Sequence, residues 1–312
     1  TGTLCPQNID KAIYYLTLSA NQNNINAQKK LIEIYLEGKI KLKNIDIIIN
    51  ILQKLANKNN DPVVLFMLGK IYFKGKDVKR DIVKAINYLS RASDLNDTFS
   101  QFFLGIIYSE GYYVPQDIQK SIHYYTLAAK KNDPDSLNNL GNIYLHKLSP
   151  PNINKGMKYL QMSSNLNCSM AQYNLGNIYM DGILVPKDIE KAVYYLNLSV
   201  KHDNPNAQFI FGWMYLYGNY FNKDINKAIY YFTQSANKNF TSSQFYLGLI
   251  YAFDTTIQRD LNLSINYFLL AAKKNHLNTN FILGCFYMRG FRIIKKDINE
   301  AIKYYKTGSS FN

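Results

Sequence analysis

Between residues 171 and 199 the apolar positions keep a helical period, break once, and resume. Ala171, Leu175, Ile178 and Tyr179 follow the i, i+4, i+7, i+8 spacing that lines one face of an α-helix. Gly182 stops that helix. Asp188 can then cap a second one by accepting from its unpartnered first-turn amides, and Ala192, Tyr195, Leu196 and Ser199 continue at helical spacing. The stretch predicts a helix hairpin. Gly176 sits inside the first helix at a cost of about 1 kcal/mol in helix propensity, which predicts close approach of another backbone there.

The same pattern returns along almost the whole chain. The first-helix Tyr recurs at Tyr35, Tyr72, Tyr108, Tyr144, Tyr179, Tyr215, Tyr251 and Tyr287, a period of about 36 residues. Gly69, Gly105, Gly141, Gly176, Gly212, Gly248 and Gly284 run beside it. Second helices start at Asn8, Asn44, Asp81, Asp117, Asn152, Asp188, Asp224, Asp260 and Asp297, all competent N-caps. The expectation is one all-α domain over 1–312: a leading helix at 8–21, then hairpins near 25–57, 61–95, 98–131, 134–165, 168–201, 205–237, 241–274 and 277–309. No such hairpin can bury both faces alone, so the hairpins stack and share a continuous core.

Two copies depart from the pattern. In the fourth hairpin Lys147 stands where the loop Gly is expected, Ser149, Pro150 and Pro151 fill the loop, and Gly156 replaces the usual Ala, which fits either ordinary decay of a repeat copy or a local change of superhelix angle. In the first, Ile47, Ile48 and Ile49 replace the Lys-Ala step and mark a place for something else to pack.

The register A-x-x-x-L-G-x-x-Y-x-x-G followed by D-x-x-K-A-x-x-Y-Y resembles Sel1-like repeats, relatives of the tetratricopeptide repeat. Ala171, Leu175, Gly176, Tyr179, Gly182, Asp188, Lys191, Ala192, Tyr194 and Tyr195 carry the resemblance. It implies a right-handed α-α superhelix, a solenoid of about eight hairpins plus a leading helix, serving as a non-catalytic scaffold or adaptor. Some proteins with this repeat carry one cysteine bridge per repeat and bind β-lactam-like ligands; those regular cysteine pairs are missing here.

Composition adds little to that picture. The net charge of +14 raises nucleic acid or an anionic surface as partner, but the chain is crowded with Asn, Ile and Lys as an AT-rich genome would produce. Cys5, Cys168 and Cys285 lie far apart without paired spacing, which fits a reducing, cytoplasmic or other intracellular compartment. No apolar run approaches the roughly 18 residues of a membrane span, so no membrane insertion is expected. The absence of an initiator Met suggests a processed chain or part of a longer protein.

No residue constellation in the chain has the spacing of a catalytic or metal site. His123, His146, His202 and His276 fall in different repeats, so none is expected to share a metal, and no cofactor is expected. The stretch from Gly69 to Lys76 has the wrong spacing for a phosphate loop and lies in a repeat helix. Neither cysteine nucleophile nor carboxylate pair emerges, and the chain reads as no enzyme.

Function is therefore sought in the positions that vary. By analogy with tetratricopeptide arrays, positions three before, one after and four after the helix Gly line a concave groove. They are Asn138, Asn142 and Leu145, then Tyr173, Asn177 and Met180. Phe209, Trp213 and Leu216 follow, then Phe245, Leu249 and Ala252, then Phe281, Cys285 and Met288. Paired Asn can clamp a peptide backbone, and Phe209, Trp213 and Phe245 can anchor a protein partner or pack between repeats. The competing reading is a basic edge that binds nucleic acid or an anionic surface. It would use Lys39, Lys41, Lys43, Lys74, Lys76, Lys79, Arg80, Arg289, Arg292, Lys295 and Lys296. Oligomeric state stays open, with the last helix around Tyr304 and Tyr305 as a face for a second copy.

Overall fold

A computed structural model describes residues 9–22, 24–36, 45–76, 78–291 and 294–309. Cys5, Asn8, Lys39, Lys41, Lys43, Asn44 and Arg292 lie outside the described residues, as do the expectations placed on them. Among the described residues all regular structure is helical. The helices are α1 (Ile9–Asn21), α2 (Ile25–Leu36), α3 (Ile45–Asn59), α4 (Pro62–Lys74), α5 (Ile82–Asp94), α6 (Thr98–Glu110), α7 (Ile118–Ala129), α8 (Pro134–Asn142) and α9 (Ile153–Asn165). They continue as α10 (Ser169–Asp181), α11 (Ile189–Lys201), α12 (Pro205–Tyr217), α13 (Ile225–Asn237), α14 (Thr241–Phe253), α15 (Leu261–Ala272), α16 (Leu277–Arg289) and α17 (Ile298–Ser309). The chain divides into two compact units, 1–159 and 160–312, each a stack of helix hairpins.

The repeated letters explain how a hairpin closes. Asp188 accepts from the Lys191 amide at 3.0 Å, and Asp81, Asp117, Asp224 and Asp260 cap α5, α7, α13 and α15 in the same way. That backbone bond is the main cause holding the Asp188 carboxyl below its ordinary range, with the Lys191 ammonium adding to it. The cap residue's own N–H returns to the first-helix Tyr carbonyl, as from Asp188 to Tyr179 at 2.9 Å. Within each hairpin from α4 to α17 two tyrosines stack, Tyr179 on Tyr195 and Tyr215 on Tyr231 among them, at 5.9 and 5.8 Å between centroids. The Lys191 and Lys227 ammonium groups lie over Tyr179 and Tyr215 at 5.4 and 5.0 Å. The Lys of the motif thus braces its own hairpin.

The helix glycine makes room for a side chain rather than, as expected, chiefly for a backbone. A methyl group at Gly176 would lie 2.6 Å from Leu196 Cγ, whereas the nearest backbone atom, the Ala192 carbonyl, is 3.2 Å away. In α12 and α14 the intruder is a fully buried ring: Phe232 and Phe268 would lie 2.7 and 2.6 Å from a methyl at Gly212 and Gly248. The small residue lets the second helix seat Leu, Tyr or Phe against the first, and these side chains form the core.

Successive hairpins are joined by a second set of bonds. Each second helix from α3 to α15 is followed by one Asn or Asp in the left-handed conformation, such as Asn96 at φ 63° and Asp203 at φ 62°. The Gln101, Gln172 and Gln244 amides donate to carbonyls at the end of the preceding helix, Ser93, Ser164 and Ala236, at 3.3 to 3.4 Å. Lys274 reaches back to the Asn239 carbonyl at 2.6 Å, and Lys131 and Lys238 bond the Asn96 and Asp203 carbonyls likewise.

The fourth hairpin is the irregular one. Helix α8 passes into a π turn, Ile143–Lys147, before α9 begins. The Asn152 N–H bonds the Tyr144 carbonyl at 2.8 Å, one residue sooner than the equivalent Asp117–Tyr108 bond. Leu145, expected to face the groove, is instead 2% exposed, and a methyl at Gly156 would meet its Cγ at 2.5 Å. The π turn has rotated Leu145 into the space that Gly156 vacates. Lys147 donates to the Ser109 carbonyl at 3.0 Å and hydroxyl at 2.9 Å and pairs with Glu110 at 3.6 Å, which ties the turn to α6.

Candidate functional site

Asn138 and Asn142 lie in α8 of the first unit; the other groove candidates lie in the second. Asn138 is buried with its amide on Asn139, at 3.3 Å, so it is no open clamp. Asn142 is half-buried at the end of α8. In α10, Tyr173 and Met180 pack against the cluster of Leu196, Ala207, Phe211 and Met214. Asn177, between them in register, is half-buried and its Oδ1 has no hydrogen-bond partner.

The aromatic candidates fall into three situations. Phe209 is embedded between repeats, with Phe232, Phe240 and Tyr246 at 5.7, 5.3 and 5.7 Å. Phe245 packs on Phe268 at 6.2 Å and on His276 at 4.7 Å. Phe281, by contrast, is 63% exposed, 6.0 Å from Tyr305. Ala252 is buried, and Cys285 accepts from the Tyr305 hydroxyl at 3.4 Å. Tyr304 stacks on Tyr287 and Tyr305 sits over Gly284, so both tyrosines of the last helix are engaged inside their own hairpin.

Trp213 belongs to a larger feature. It is half-buried, 5.1 Å from Tyr217, and Tyr246 stands near enough to both for their side chains to act on its phenol. Burial, foremost, lifts that Tyr246 phenol above its ordinary value. Beside this cluster Leu216, Tyr217, Lys223, Tyr246, Leu249, Ile250, Phe253 and Asp254 line a cavity of about 310 Å³ between α12 and α14. Leu216 and Leu249 were among the groove candidates; Tyr217 and Phe253 were not.

Tyr217 and Phe253 are nonetheless the most informative pair. They stand five residues after the helix glycine, where Lys74, Glu110, His146, Asp181 and Arg289 stand in other copies. Tyr217 is 52% exposed and Phe253 47%. Five ionisable or charged residues against two neighbouring exposed aromatics is a signal visible in the repeat alignment, one column beyond those scanned. Asp254, immediately after Phe253, replaces the left-handed glycine that ends α10 and α12, and accepts from the Thr256 amide at 2.8 Å and hydroxyl at 2.5 Å.

The basic edge is partly committed to the protein itself. Arg80 donates to the Phe73 and Lys74 carbonyls, both at 3.1 Å, and lies 4.7 Å over Tyr113. Lys131, Lys238 and Lys274 bond neighbouring turns, whereas Lys295 and Lys296 are exposed. Among the described residues no group of three or more His, Cys, Asp or Glu could hold a metal ion, and no helix is long and apolar enough to cross a membrane.

Paired helices closed by caps and stacked through small residues define a helical-repeat protein of the tetratricopeptide-related kind. The chain belongs to the Sel1 repeat family, whose pattern matches residues 1–24, 62–97, 98–133, 134–168, 169–204, 205–240, 241–276 and 279–310. Among solved structures it is similar to a Sel1 repeat protein from Oxalobacter formigenes, with a TM-score of 0.66 and 24% identity, covering 96% of this chain and 86% of that one. It is also similar to c5321, a protective antigen of uropathogenic Escherichia coli, with a TM-score of 0.66 and 20% identity over 95% of this chain. The chain spans 63% of the length of that antigen. The immunity protein Pa5087 of Pseudomonas aeruginosa is similar at a TM-score of 0.50 and 18% identity, over 68% of this chain and 81% of that one. Among curated proteins none matches the chain. Such a repeat fold is generally associated with protein–protein interaction surfaces.

Proposed function

We propose that the chain is an adaptor that holds a protein or peptide partner on the face made by the first helices of its second unit. One observation carries the reading: Tyr217 and Phe253 are exposed aromatics beside a cavity, at a position that is ionisable or charged in the other described copies compared above. A repeat needs no aromatic there to fold, since its other copies do without one. Exposed aromatics flanking a partly apolar hollow are the residue type on which protein interfaces concentrate their binding energy. Trp213, braced against Tyr217, extends the same surface.

The test is capture of a protein partner by the intact chain, compared with a Trp213→Ala variant. The adaptor predicts capture that tolerates added salt and weakens at least several-fold in the variant while helicity by circular dichroism is retained. Capture confined to RNA or DNA, falling steeply as salt rises, would replace this reading with the basic-edge one. Loss of helicity in Trp213→Ala would instead make Trp213 a packing residue.

A further inference from the structure

We infer that the cavity between α12 and α14 receives a single large apolar side chain of an extended peptide, one flanked by an acidic residue facing Lys223 and a basic residue facing Asp254. The inference rests on the adaptor reading and narrows it to a kind of sequence. Six of the eight lining residues, Leu216, Tyr217, Tyr246, Leu249, Ile250 and Phe253, offer carbon surface or ring faces. At about 310 Å³ the hollow lies at the small end of ligand-sized pockets, a size suited to one side chain rather than a bulky cofactor.

The two remaining lining residues carry opposite charge. Lys223 is exposed on the loop before α13. Asp254 is half-buried, and its carboxylate is fixed by the two bonds from Thr256. Burial raises the Asp254 carboxyl, yet those bonds and the Lys223 charge outweigh it, so it stays ionised at neutral pH. An anion and a cation on one rim favour a bound segment with complementary charges and disfavour the reversed order. The aromatic edges of Tyr217 and Phe253 are the apolar surface such a side chain would cover.

The chain carries its own reporter and its own controls. Trp213 is its only Trp and touches Tyr217, so its emission responds to an occupant of the neighbouring cavity. The double variant Tyr217→Asp with Phe253→Arg installs the residues that α10 and α16 already carry at this position, Asp181 and Arg289. Its helicity is expected to match the parent, and its melting temperature to fall only modestly, because Phe253 also packs on Phe286 and Phe291 at 6.3 and 6.2 Å and Tyr217 on Trp213 at 5.1 Å; binding is read at a temperature where both proteins are fully folded.

The probes are fluorescein-labelled decapeptides with a Gly/Ser frame and a central Glu-Gly-X-Gly-Lys or Lys-Gly-X-Gly-Glu, in which the two charges share the face of X at the two-residue period of an extended chain, where X is Leu, Met, Phe or Ser. In one of the two orders, Leu, Met or Phe at X should bind at least ten times tighter than Ser, with a change in Trp213 emission in matched unlabelled peptides. The double variant should lose at least ten-fold of that affinity. Equal binding of Ser and apolar peptides, equal binding of both charge orders, no binding at all, or undiminished binding by the double variant would each overturn the assignment. Should a protein partner captured by the parent also be captured undiminished by the double variant, the adaptor reading would stand and this cavity would not be its anchor.

Discussion

Hairpins α8–α9 and α12–α13 start from the same repeat and use their variable positions in opposite ways. In α8–α9 a π turn drives Leu145 into the core, Gly156 yields the space, and Lys147 reaches across to Ser109. In α12–α13 the first helix stays regular, Phe232 fills the space beside Gly212, and Leu216 and Tyr217 are left lining an open hollow, with Trp213 against Tyr217. One hairpin holds its neighbour; the other presents a surface. A departure from the repeat pattern is therefore not by itself a sign of function, because the more irregular hairpin is the one whose changes are absorbed internally.

The two hairpins differ most in energetic terms at their glycines. Gly212→Ala would place a methyl 2.7 Å from the fully buried Phe232 ring. Because that ring has nowhere to move, chemical denaturation should show a loss of about 2–3 kcal/mol. No loss would mean that the ring is not locked.

Gly156→Ala tests the other hairpin and has an unusual sign. Alanine is the residue of α5, α11 and α13 at this position, and by helix propensity alone it should stabilise by about 1 kcal/mol. The 2.5 Å approach to Leu145 predicts instead a destabilisation of about 1–2 kcal/mol. Adding Leu145→Ala should cancel much of the Gly156→Ala effect in a double-mutant cycle; additive effects would show that the two residues do not share the space.

Lys147→Met keeps most of the stem and removes the charged donor to Ser109 and Glu110. It should cost roughly 1 kcal/mol in melting experiments, the order expected of one such hydrogen bond, while leaving peptide binding at α12–α14 unchanged. Altered binding would show that the irregular hairpin also serves the partner.

A weak pH dependence is built into the second unit. His276 caps α16, accepting from the Thr279 amide at 3.3 Å through Nδ1, and burial holds its pKa below the ordinary 6.5. The unfolded chain takes up a proton at a higher pH than the folded one, so this part of the stability is present above about pH 6.5 and lost as the pH falls below it. Melting temperature measured from pH 7.5 to 5.5 should fall slightly more for the parent than for His276→Asn, since Asn caps α12 at the equivalent Asn204.

The hairpin register was legible because its letters make bonds inside one repeat. Asp188, Lys191, Tyr179 and Tyr195 meet over short sequence separations, so helical spacing alone brings them together. The reason for Gly176 was half legible: spacing shows that something approaches, but not that it is Leu196 rather than a backbone. Leu145 was misplaced because a π turn shifts the face of every later residue in the helix, and no sequence period announces it. Of the residues lining the α12–α14 cavity, Leu216 and Leu249 fall in the register drawn from tetratricopeptide arrays, whereas Tyr217 and Phe253 stand in the next column and lie outside it.

The reach of Lys131, Lys238 and Lys274 to the preceding turn has a consequence for how such a gene can change length. Each bond spans 35 residues and depends on two turns being in phase. Adding or deleting one codon within an intervening α-helix would swing everything after it by about 100° about the helix axis, breaking the link and moving core residues outward. Whole-repeat duplication or excision preserves the phase, and a copied repeat that carries the lysine, as those ending at Lys131, Lys238 and Lys274 do, brings the link with it. The lysines that raise the chain's charge therefore also favour growth and loss by entire repeats over drift by single residues.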